Sequence, residues 1–343
     1  LLPSSRMRVV EKSPGFFSAG VQRLLNMYYY RMKRKDNQLL TRQKNEISVK
    51  NEQLKQQKEE IMAQRDEIEA QRDLATSQRD HISKQKNEIT DSIEYAKKIQ
   101  QAILTNQHDF KKFLPQSFIL YKPRNIVSGD FYFASKKGDR LILAVADCTG
   151  HGVPGAFMSM LGMSYLNDLV NEKGISRPNV ILNNLRDMII SALKQEHHQK
   201  EQNYIKDGMD ISVISFNTKT KVLEFSGANN PLYIIKKGSS NVDIIPADKM
   251  PAGVYEGKST SFTNHSMNIS TGDTLYLFTD GFADQFGGPR NKKFKYKMFR
   301  QLLVWLSTRE MNDQLPVIEK TFAEWKGENE QVDDILIVGL KIT

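Results

Sequence analysis

The 343-residue sequence contains a single cysteine, Cys148. This excludes an internal disulfide framework, and nothing in the composition indicates an oxidising compartment. There is also no apolar run of about 18 residues, the length that a membrane-spanning helix requires. The most apolar early stretch, residues 15–30, is interrupted by Gln22 and Arg23, so we do not expect it to span a membrane.

Residues 1–35 nevertheless have a distinctive order, in which aromatic side chains precede a basic cluster. The aromatic residues are Phe16, Phe17, Tyr28, Tyr29 and Tyr30, and the basic ones are Arg31, Lys33, Arg34 and Lys35. This order is typical of the cytoplasmic end of a membrane segment, and the sequence begins with Leu rather than Met. One interpretation is a juxtamembrane segment with a membrane or sensor part upstream. The alternative is a helix that packs on a neighbour.

The net charge of +9 raises the question of a nucleic-acid partner. No RNA- or DNA-binding motif is present, and we interpret the basic residues as part of a solvated helical face on which they alternate with Gln and Glu. We therefore expect no nucleic-acid partner.

Proline and glycine are absent between Asp36 and Thr105, so residues 36–104 can form one unbroken helix. Apolar residues recur there every seven positions, which is the coiled-coil period. They are Ile47, Leu54, Ile61, Ile68, Ala75, Ile82 and Ile89. The sequence predicts a parallel, homodimeric coiled coil.

The second core position of this repeat is polar, because glutamine follows most of the apolar residues by three. These glutamines are Gln57, Gln64, Gln71, Gln78 and Gln85. Polar core layers specify register at a cost in stability, so a stalk that transmits a signal and a passive dimerisation element both remain open. Beyond Thr90 the apolar residues adopt three-four spacing, and we expect the helix to touch a globular domain there.

Residues 105–343 have the composition of a globular domain, with short β-rich runs separated by turns. The predicted strands are residues 118–121, 131–135, 141–146, 211–217, 222–226, 232–236, 274–278 and 335–341. Two predicted helices, residues 155–172 and 178–196, lie between the third and fourth strands. The order indicates an α+β fold.

Aspartates stand at the ends of these strands in small-residue contexts. They are Asp130, Asp147, Asp280 and the Asp333–Asp334 pair. A buried carboxylate is costly unless it is paired or binds a metal, and oxygen ligands favour Mg²⁺ or Mn²⁺ over zinc. Two such ions about 4 Å apart can stabilise in-line displacement at phosphorus.

The segments SGDFY (128–132), ADCTGHGVPG (146–155), FTDGF (278–282) and DDIL (333–336) resemble the metal-binding motifs of SpoIIE-like PPM phosphatases, the bacterial relatives of protein phosphatase 2C. Three further segments fit as well: DGMDI (207–211), SGANNP (226–231) and KMPAG (249–253). The resemblance implies the PPM α-β-β-α sandwich, two packed antiparallel sheets flanked by helices. It also implies hydrolysis of phosphoserine or phosphothreonine on a protein, in the cytoplasm.

The resemblance assigns residue roles as well. Asp147 would bridge two metal ions, with the backbone carbonyl of Cys148 on one of them. Asp280 and Asp333 would complete the second site, Asp130 would serve the first, and Asp334 would have a supporting role. The nucleophile would be a hydroxide that bridges the metals, so no protein nucleophile is needed.

Two other residues are candidates for the chemistry around this centre. His151 could protonate the leaving oxygen, although a metal-bound water could do so too, and a turn histidine can simply shape its loop. Arg124 could bind phosphate, with a surface salt bridge as the alternative. Cys148 lacks the Cys-x5-Arg loop of cysteine phosphatases, which favours a buried structural thiol.

The resemblance also implies regulation, since residues 155–196 match a helical switch that controls the metal site. The coiled coil would push on this switch, and the substrate would be a small bacterial regulatory protein such as an anti-sigma-factor antagonist. The main alternative is a non-catalytic scaffold, a pseudophosphatase. A nucleotide cyclase or diguanylate-type module is disfavoured, because neither a P-loop nor a GGDEF-like turn is present.

Overall fold

The computed structural model describes residues 19–105, 107–193, 207–255, 257 and 260–343. Chain contacts separate two units, Leu1–Gln85 and Lys86–Thr343. Phe16 and Phe17 of the predicted juxtamembrane segment lie outside the described residues, as do residues 194–196 of the second predicted helix. No described helix is both long and apolar enough to cross a membrane.

The first helix, α1, extends over 85 residues from Ala19 to Ile103. This agrees with the lack of helix-breaking residues in the sequence. The apolar side chains of the heptad are exposed, for example Leu54 by 61% and Ile68 by 65%. The helix therefore presents an apolar stripe along its surface, and its pairing in a coiled coil stays a prediction.

The last turns of α1 bury a polar residue rather than the expected apolar ones. Ile99 and Ile103 are 43% and 46% exposed, whereas Gln100 is only 3% exposed. Ile93 and Ala96 are half-buried. The three-four pattern thus located where the end of α1 packs within the second unit, but not the side chain at the centre of that contact.

The second unit alternates short strands with helices, and every strand predicted from the sequence is present. In chain order the elements are α2 (Gln107–Phe113), β1 (Ser117–Lys122), β2 (Phe131–Lys137), β3 (Arg140–Cys148), α3 (Val153–Asn167), a π-helical turn (Asp168–Glu172), α4 (Pro178–Ala192), β4 (Gly208–Asn217), β5 (Val222–Ala228), β6 (Leu232–Ile235), β7 (Asp243–Ile245), β8 (Ala252–Gly253), β9 (His265–Asn268), β10 (Thr274–Phe278), α5 (Gly281–Asp284), β11 (Phe286–Gly287), β12 (Lys292–Lys293), α6 (Lys295–Ser307), α7 (Met311–Lys326) and β13 (Ile335–Lys341).

The strands form two antiparallel sheets and one small hairpin. The first sheet has the order β1-β13-β10-β6-β7, and the second has the order β2-β3-β4-β5-β9, with β8 paired to β4. Strands β11 and β12 make the hairpin. Strands β6 and β10 are buried along their whole length, and β3, β4 and β13 along most of theirs, because helices or the other sheet cover both faces.

Three apolar clusters show how these elements stack. One lies between α3, α4 and the second sheet and includes Leu166, Leu185 and Val213. Another lies between the two sheets, and a third lies between the first sheet and α6 and α7. Helix, sheet, sheet and helix thus form successive layers, which confirms the predicted α-β-β-α sandwich.

Candidate active site

The aspartates singled out in the sequence lie at strand ends along one edge of the two sheets. Asp130 directly precedes β2 and Asp147 is near the end of β3, in the second sheet. In the first sheet, Asp280 follows β10, and the Asp333–Asp334 pair precedes β13. Strands β10 and β13 are antiparallel neighbours, so the end of one lies beside the start of the other.

Asp147 lies beside a further carboxylate on the neighbouring strand of the second sheet. Its register partner on β4 is Asp210, and directly opposed residues of antiparallel strands project from the same face. Both residues line a cavity of about 380 Å³, together with Asp333 and His151. Asn229 donates a hydrogen bond from Nδ2 to Oδ1 of Asp210 at 2.7 Å.

Asp130 connects the two sheets. It is 1% exposed, and its Oδ2 accepts a hydrogen bond of 2.7 Å from the hydroxyl of Thr279, at the end of β10. The backbone N–H of Thr279 donates to the carbonyl of Leu336 on β13. A buried carboxylate is thereby fixed at the seam between the sheets, where the two rows of strand ends meet.

Asp333 and Asp334 differ in what their carboxylates contact. Both oxygens of Asp334 are taken up by backbone N–H groups, from Arg124 at 2.7 Å and from Gly129 at 2.8 Å. Among the described residues, Oδ1 of Asp333 accepts the N–H of Asp334, at 2.8 Å, and Asp333 lines the cavity. Asp334 thus ties the loop before Asp130 to the start of β13, and Asp333 faces the cavity.

The carboxylates of the cluster are like charges that lie close together and are poorly solvated. Burial raises the pKa of Asp130 and Asp147 well above their usual range, and neighbouring carboxylates raise them further. Burial first, and then Asp333, raises the pKa of Asp280 to about 6. The pKa of Asp333 is also raised, mainly by burial. A positive charge placed among these groups would favour their ionised forms.

Glycines allow the loops around the cluster to approach closely. A Cβ on Gly155 would lie 2.2 Å from the carbonyl oxygen of Gly150 and 2.9 Å from Cα of Gly129. These distances leave no room for a side chain. The glycines of the ADCTGHGVPG segment therefore seat the start of α3 against the loop that carries Asp130.

His151 and Arg124 lie on the Asp333 side of the site. Nδ1 of His151 donates to Oδ1 of Asn125 at 3.1 Å, which leaves Nε2 for another partner. The positive charge of Arg124 acts to lower the pKa of Asp333, against the larger effect of burial. Arg124 is exposed, and its backbone, rather than its side chain, holds Asp334.

The thiol of Cys148 is buried in the apolar cluster between the second sheet and α3, although Cys148 also borders the cavity. Burial raises the pKa of this thiol well above its usual value. A thiol that resists ionisation is a poor nucleophile. A role for the backbone carbonyl of Cys148 in metal binding stays a prediction.

The donor chemistry of this cluster suits a hard divalent cation, because every candidate side chain is a carboxylate. No three Asp, Glu, His or Cys side chains among the described residues are already spaced to hold a metal ion. The fold thus brings the carboxylates to one edge of the sheets and three of them, Asp147, Asp210 and Asp333, to one cavity, while the coordination geometry remains a prediction.

Asp210 is the site residue that the sequence reasoning missed. Its segment, DGMDI, was noted only as a strand signature. The available signal was its position directly before the predicted strand of residues 211–217, a strand-end position like those of the other candidate aspartates. Burial raises the pKa of Asp210. Asp210 is also among the charges that raise the pKa of Asp147 and Asp280, so it belongs electrostatically to the same cluster.

Comparisons with known proteins identify the family of this chain. The sequence profile of the family described as stage II sporulation protein E (SpoIIE) matches residues 137–343. Phosphoserine phosphatase RsbU of Bacillus subtilis (strain 168) is 26% identical over 200 residues, which cover 57% of this chain and 54% of RsbU. The chain thus spans about half the length of this curated relative.

Solved structures show the same fold. The SiaA-PP2C domain of Pseudomonas aeruginosa is 31% identical, with a TM-score of 0.68, and the match covers 75% of this chain and 98% of that one. The PP2C phosphatase domain of SpoIIE from Bacillus subtilis matches with a TM-score of 0.52 at 17% identity, over 66% of this chain and 62% of that one. With its profile match over more than half of its length, the chain belongs to the SpoIIE family of PP2C-type phosphatase domains.

Proposed function

We propose that this chain is a metal-dependent protein serine/threonine phosphatase that acts on a phosphorylated regulatory protein in bacterial signalling. The observation that carries the proposal is the set of carboxylates along the sheet edge, in a chain of this family. Asp147, Asp210 and Asp333 share one cavity. Burial, together with nearby carboxylates that include Asp333, raises the pKa of Asp130 and of Asp280.

The carboxylates along this sheet edge would hold Mg²⁺ or Mn²⁺. Asp147, Asp280 and Asp333 are the side-chain ligands we propose, with Asp130, the carbonyl of Cys148, and Asp210 as contributors. When bound, two such ions would supply a water of lowered pKa and would offset the negative charge of the phosphate.

The other residues of the site would position these groups and the substrate. Asp334 fixes the loop of Asp130 through its two backbone contacts. Arg124, exposed beside Asp333, would bind the phosphate oxygens as a guanidinium does. His151, with Nδ1 held by Asn125, would present Nε2 to the leaving serine or threonine oxygen and donate a proton to it.

Hydrolysis of p-nitrophenyl phosphate with and without Mn²⁺ tests the activity. Asp147→Asn and Asp280→Asn should abolish the Mn²⁺-dependent rate. Asp139→Asn is the matched control, because Asp139 pairs with Lys219 on the surface, and it should retain full activity. A rate that survives both site substitutions would contradict the proposed centre.

The scaffold alternative draws on one observation, that no three side chains among the described residues are spaced to hold a metal. Calorimetric titration with Mn²⁺ separates the two. A folded wild-type protein that neither binds Mn²⁺ nor hydrolyses the aryl phosphate would favour a pseudophosphatase that only binds its partners.

We also propose that a parallel homodimer forms through the exposed apolar stripe of α1 and regulates the site. Support comes from the buried end of this helix. Nε2 of Gln100 donates to the carbonyl of Ser128 at 2.6 Å and to the hydroxyl of Ser159 at 2.8 Å. Gln100 therefore contacts both the loop before Asp130 and helix α3, which lies in the expected switch region.

Insertions near Lys84 test this coupling. Three or four extra residues shift the heptad register, whereas seven restore it. We expect altered activity from the shorter insertions and near-normal activity from the longer one, with sedimentation used to check the dimer. Equal activity in all three folded variants would refute the coupling.

A further inference from the structure

A strongly basic segment lies next to the candidate active site and takes no part in the function proposed above. Residues 285–309 contain seven Lys and Arg and no Asp or Glu. The seven are Arg290, Lys292, Lys293, Lys295, Lys297, Arg300 and Arg309. The segment covers the β11–β12 hairpin and helix α6.

Few of these cations are neutralised by the described part of the chain. Lys293 pairs with Asp284 at 2.7 Å, and Arg309 stacks 4.1 Å from the ring of Trp305. The remaining five form no ion pair with the described residues. Four of them are exposed and Arg300 is half-buried. Uncompensated charge of one sign attracts ligands of the other sign.

Two of these cations line a groove between α6 and β7, the edge strand of the first sheet. Lys297, Arg300, Gln301 and Val304 form its helical wall. Their spacing of three, four and seven residues places them on one helix face. Val242 and Ile244 contribute from the strand side, and the groove has a volume of about 630 Å³.

The start of α6 lies beside the carboxylate cluster. Burial raises the pKa of Tyr296, and the negative charges of Asp280, Asp284 and Asp147 raise it further. Such coupling requires proximity, since charge interactions weaken with distance. From Tyr296 the helix rises about 12 Å to Val304, so the groove leads away from the site over the span of three or four extended residues.

The lining favours a polypeptide over a nucleic acid. None of the residues that line this groove is aromatic, so bases would find no ring to stack on. Aliphatic side chains alternate instead with cations, and Ile244 is 45% exposed. Acidic residues interspersed with aliphatic ones would match this surface in charge and in polarity.

We propose that the groove between β7 and α6 docks an acidic, partly aliphatic segment of the phosphoprotein substrate. This inference rests on the proposed phosphatase function and adds a substrate class to it. Docking outside the reacting centre lowers KM for substrates that carry the acidic segment and leaves small substrates unaffected.

Two synthetic phosphoserine peptides test the inference, one with alternating Glu and Leu beyond the phosphoserine and one with Gln in place of each Glu. The variant is K297Q/R300Q. The control K136Q/K320Q removes two charges elsewhere, since Lys136 lies on the β2–β3 hairpin and Lys320 on α7. We expect K297Q/R300Q to lose about fivefold in kcat/KM for the acidic peptide, through KM.

The neutral peptide and p-nitrophenyl phosphate should be hydrolysed equally by all three proteins. The difference for the acidic peptide should vanish at about 1 M salt, where the screening length is about 3 Å. Equal losses on both peptides would overturn the inference. So would a single-stranded oligonucleotide that binds the wild type and loses binding in K297Q/R300Q while acidic-peptide hydrolysis is unchanged.

Binding of the same peptides without phosphate separates this inference from the phosphatase proposal. If no protein hydrolyses any substrate, the proposed function fails. Fluorescence anisotropy of the unphosphorylated acidic peptide then shows, independently of catalysis, whether the peptide binds in the groove. Weaker binding by K297Q/R300Q than by K136Q/K320Q supports docking, and equal binding refutes it.

Discussion

Replacing Gln100 by leucine removes a buried set of hydrogen bonds without leaving a large cavity. Gln100 donates to the carbonyl of Ser128 and to the hydroxyl of Ser159, and its Oε1 accepts from the backbone N–H of Ser128 at 3.3 Å. The carbonyl of Ser128 keeps a second donor in Ser159, at 3.2 Å. The N–H of Ser128 would lose this acceptor.

The expected cost follows from these partners. A buried hydrogen bond contributes about 0.5–1.5 kcal/mol net, and a buried donor left unpaired costs about 1–3 kcal/mol. Leucine recovers part of this through its apolar burial. We expect Gln100→Leu to lower the free energy of unfolding by about 2–3 kcal/mol. Gln101→Leu is the matched control because Gln101 is exposed, and it should change stability by less than about 0.5 kcal/mol.

Urea unfolding followed by circular dichroism measures both variants. A double-mutant cycle with Ser159→Ala isolates the contact between the two side chains, and its coupling energy should be about 0.5–1.5 kcal/mol. The kcat of each variant is measured together with its stability. If Gln100 positions the loop of Asp130, kcat falls in Gln100→Leu even where the protein is fully folded.

Two results would refute this reasoning. Equal stability of Gln100→Leu and Gln101→Leu would show that the buried hydrogen bonds of Gln100 do not stabilise the fold. Loss of stability with an unchanged kcat and unchanged Mn²⁺ affinity would show that the contacts of Gln100 with Ser128 and Ser159 are structural and do not act on the site.

Three further predictions follow from the site. The folded-state pKa of Asp280, about 6, exceeds its unfolded value of about 3.9. The metal-free protein should therefore lose stability as pH rises from 4 to 6. At pH 7, Asp280→Asn should be more stable than the wild type by about 1–2 kcal/mol in calorimetric melting, after allowance for partial exposure. No gain in stability would contradict the raised pKa. Gly155→Ala should lower Tm and activity because its Cβ would meet the carbonyl of Gly150 at 2.2 Å, whereas Gly238→Ala, with open space around it, should cost only about 1 kcal/mol; equal losses would argue against the tight contact. Asp210→Asn should weaken Mn²⁺ binding in titration while leaving the fold intact, and an unchanged affinity would remove Asp210 from the site.

The local sequence pattern was sufficient to predict most of the longer strands of the second unit. All eight predicted strands are present, with ends displaced by at most three residues, because buried strands in a sandwich read as short runs of β-branched and aromatic residues between turns. Helices α6 and α7 were not predicted, and the brief strands β7, β8, β9, β11 and β12 were not either. Short strands have too few residues for an alternating pattern to appear.

The sequence by itself determined the long helix, the order of the acidic motifs and the α-β-β-α layers that the family resemblance implied. Only the tertiary structure decided which residues face each other. The pairing of β3 with β4 placed Asp210 opposite Asp147, and the packing of α1 buried Gln100 instead of its apolar neighbours. It also divided the roles of Asp333 and Asp334, which are adjacent and identical in sequence. These outcomes depend on strand register and helix rotation, which arise from contacts between residues far apart in the chain and leave no local pattern to read.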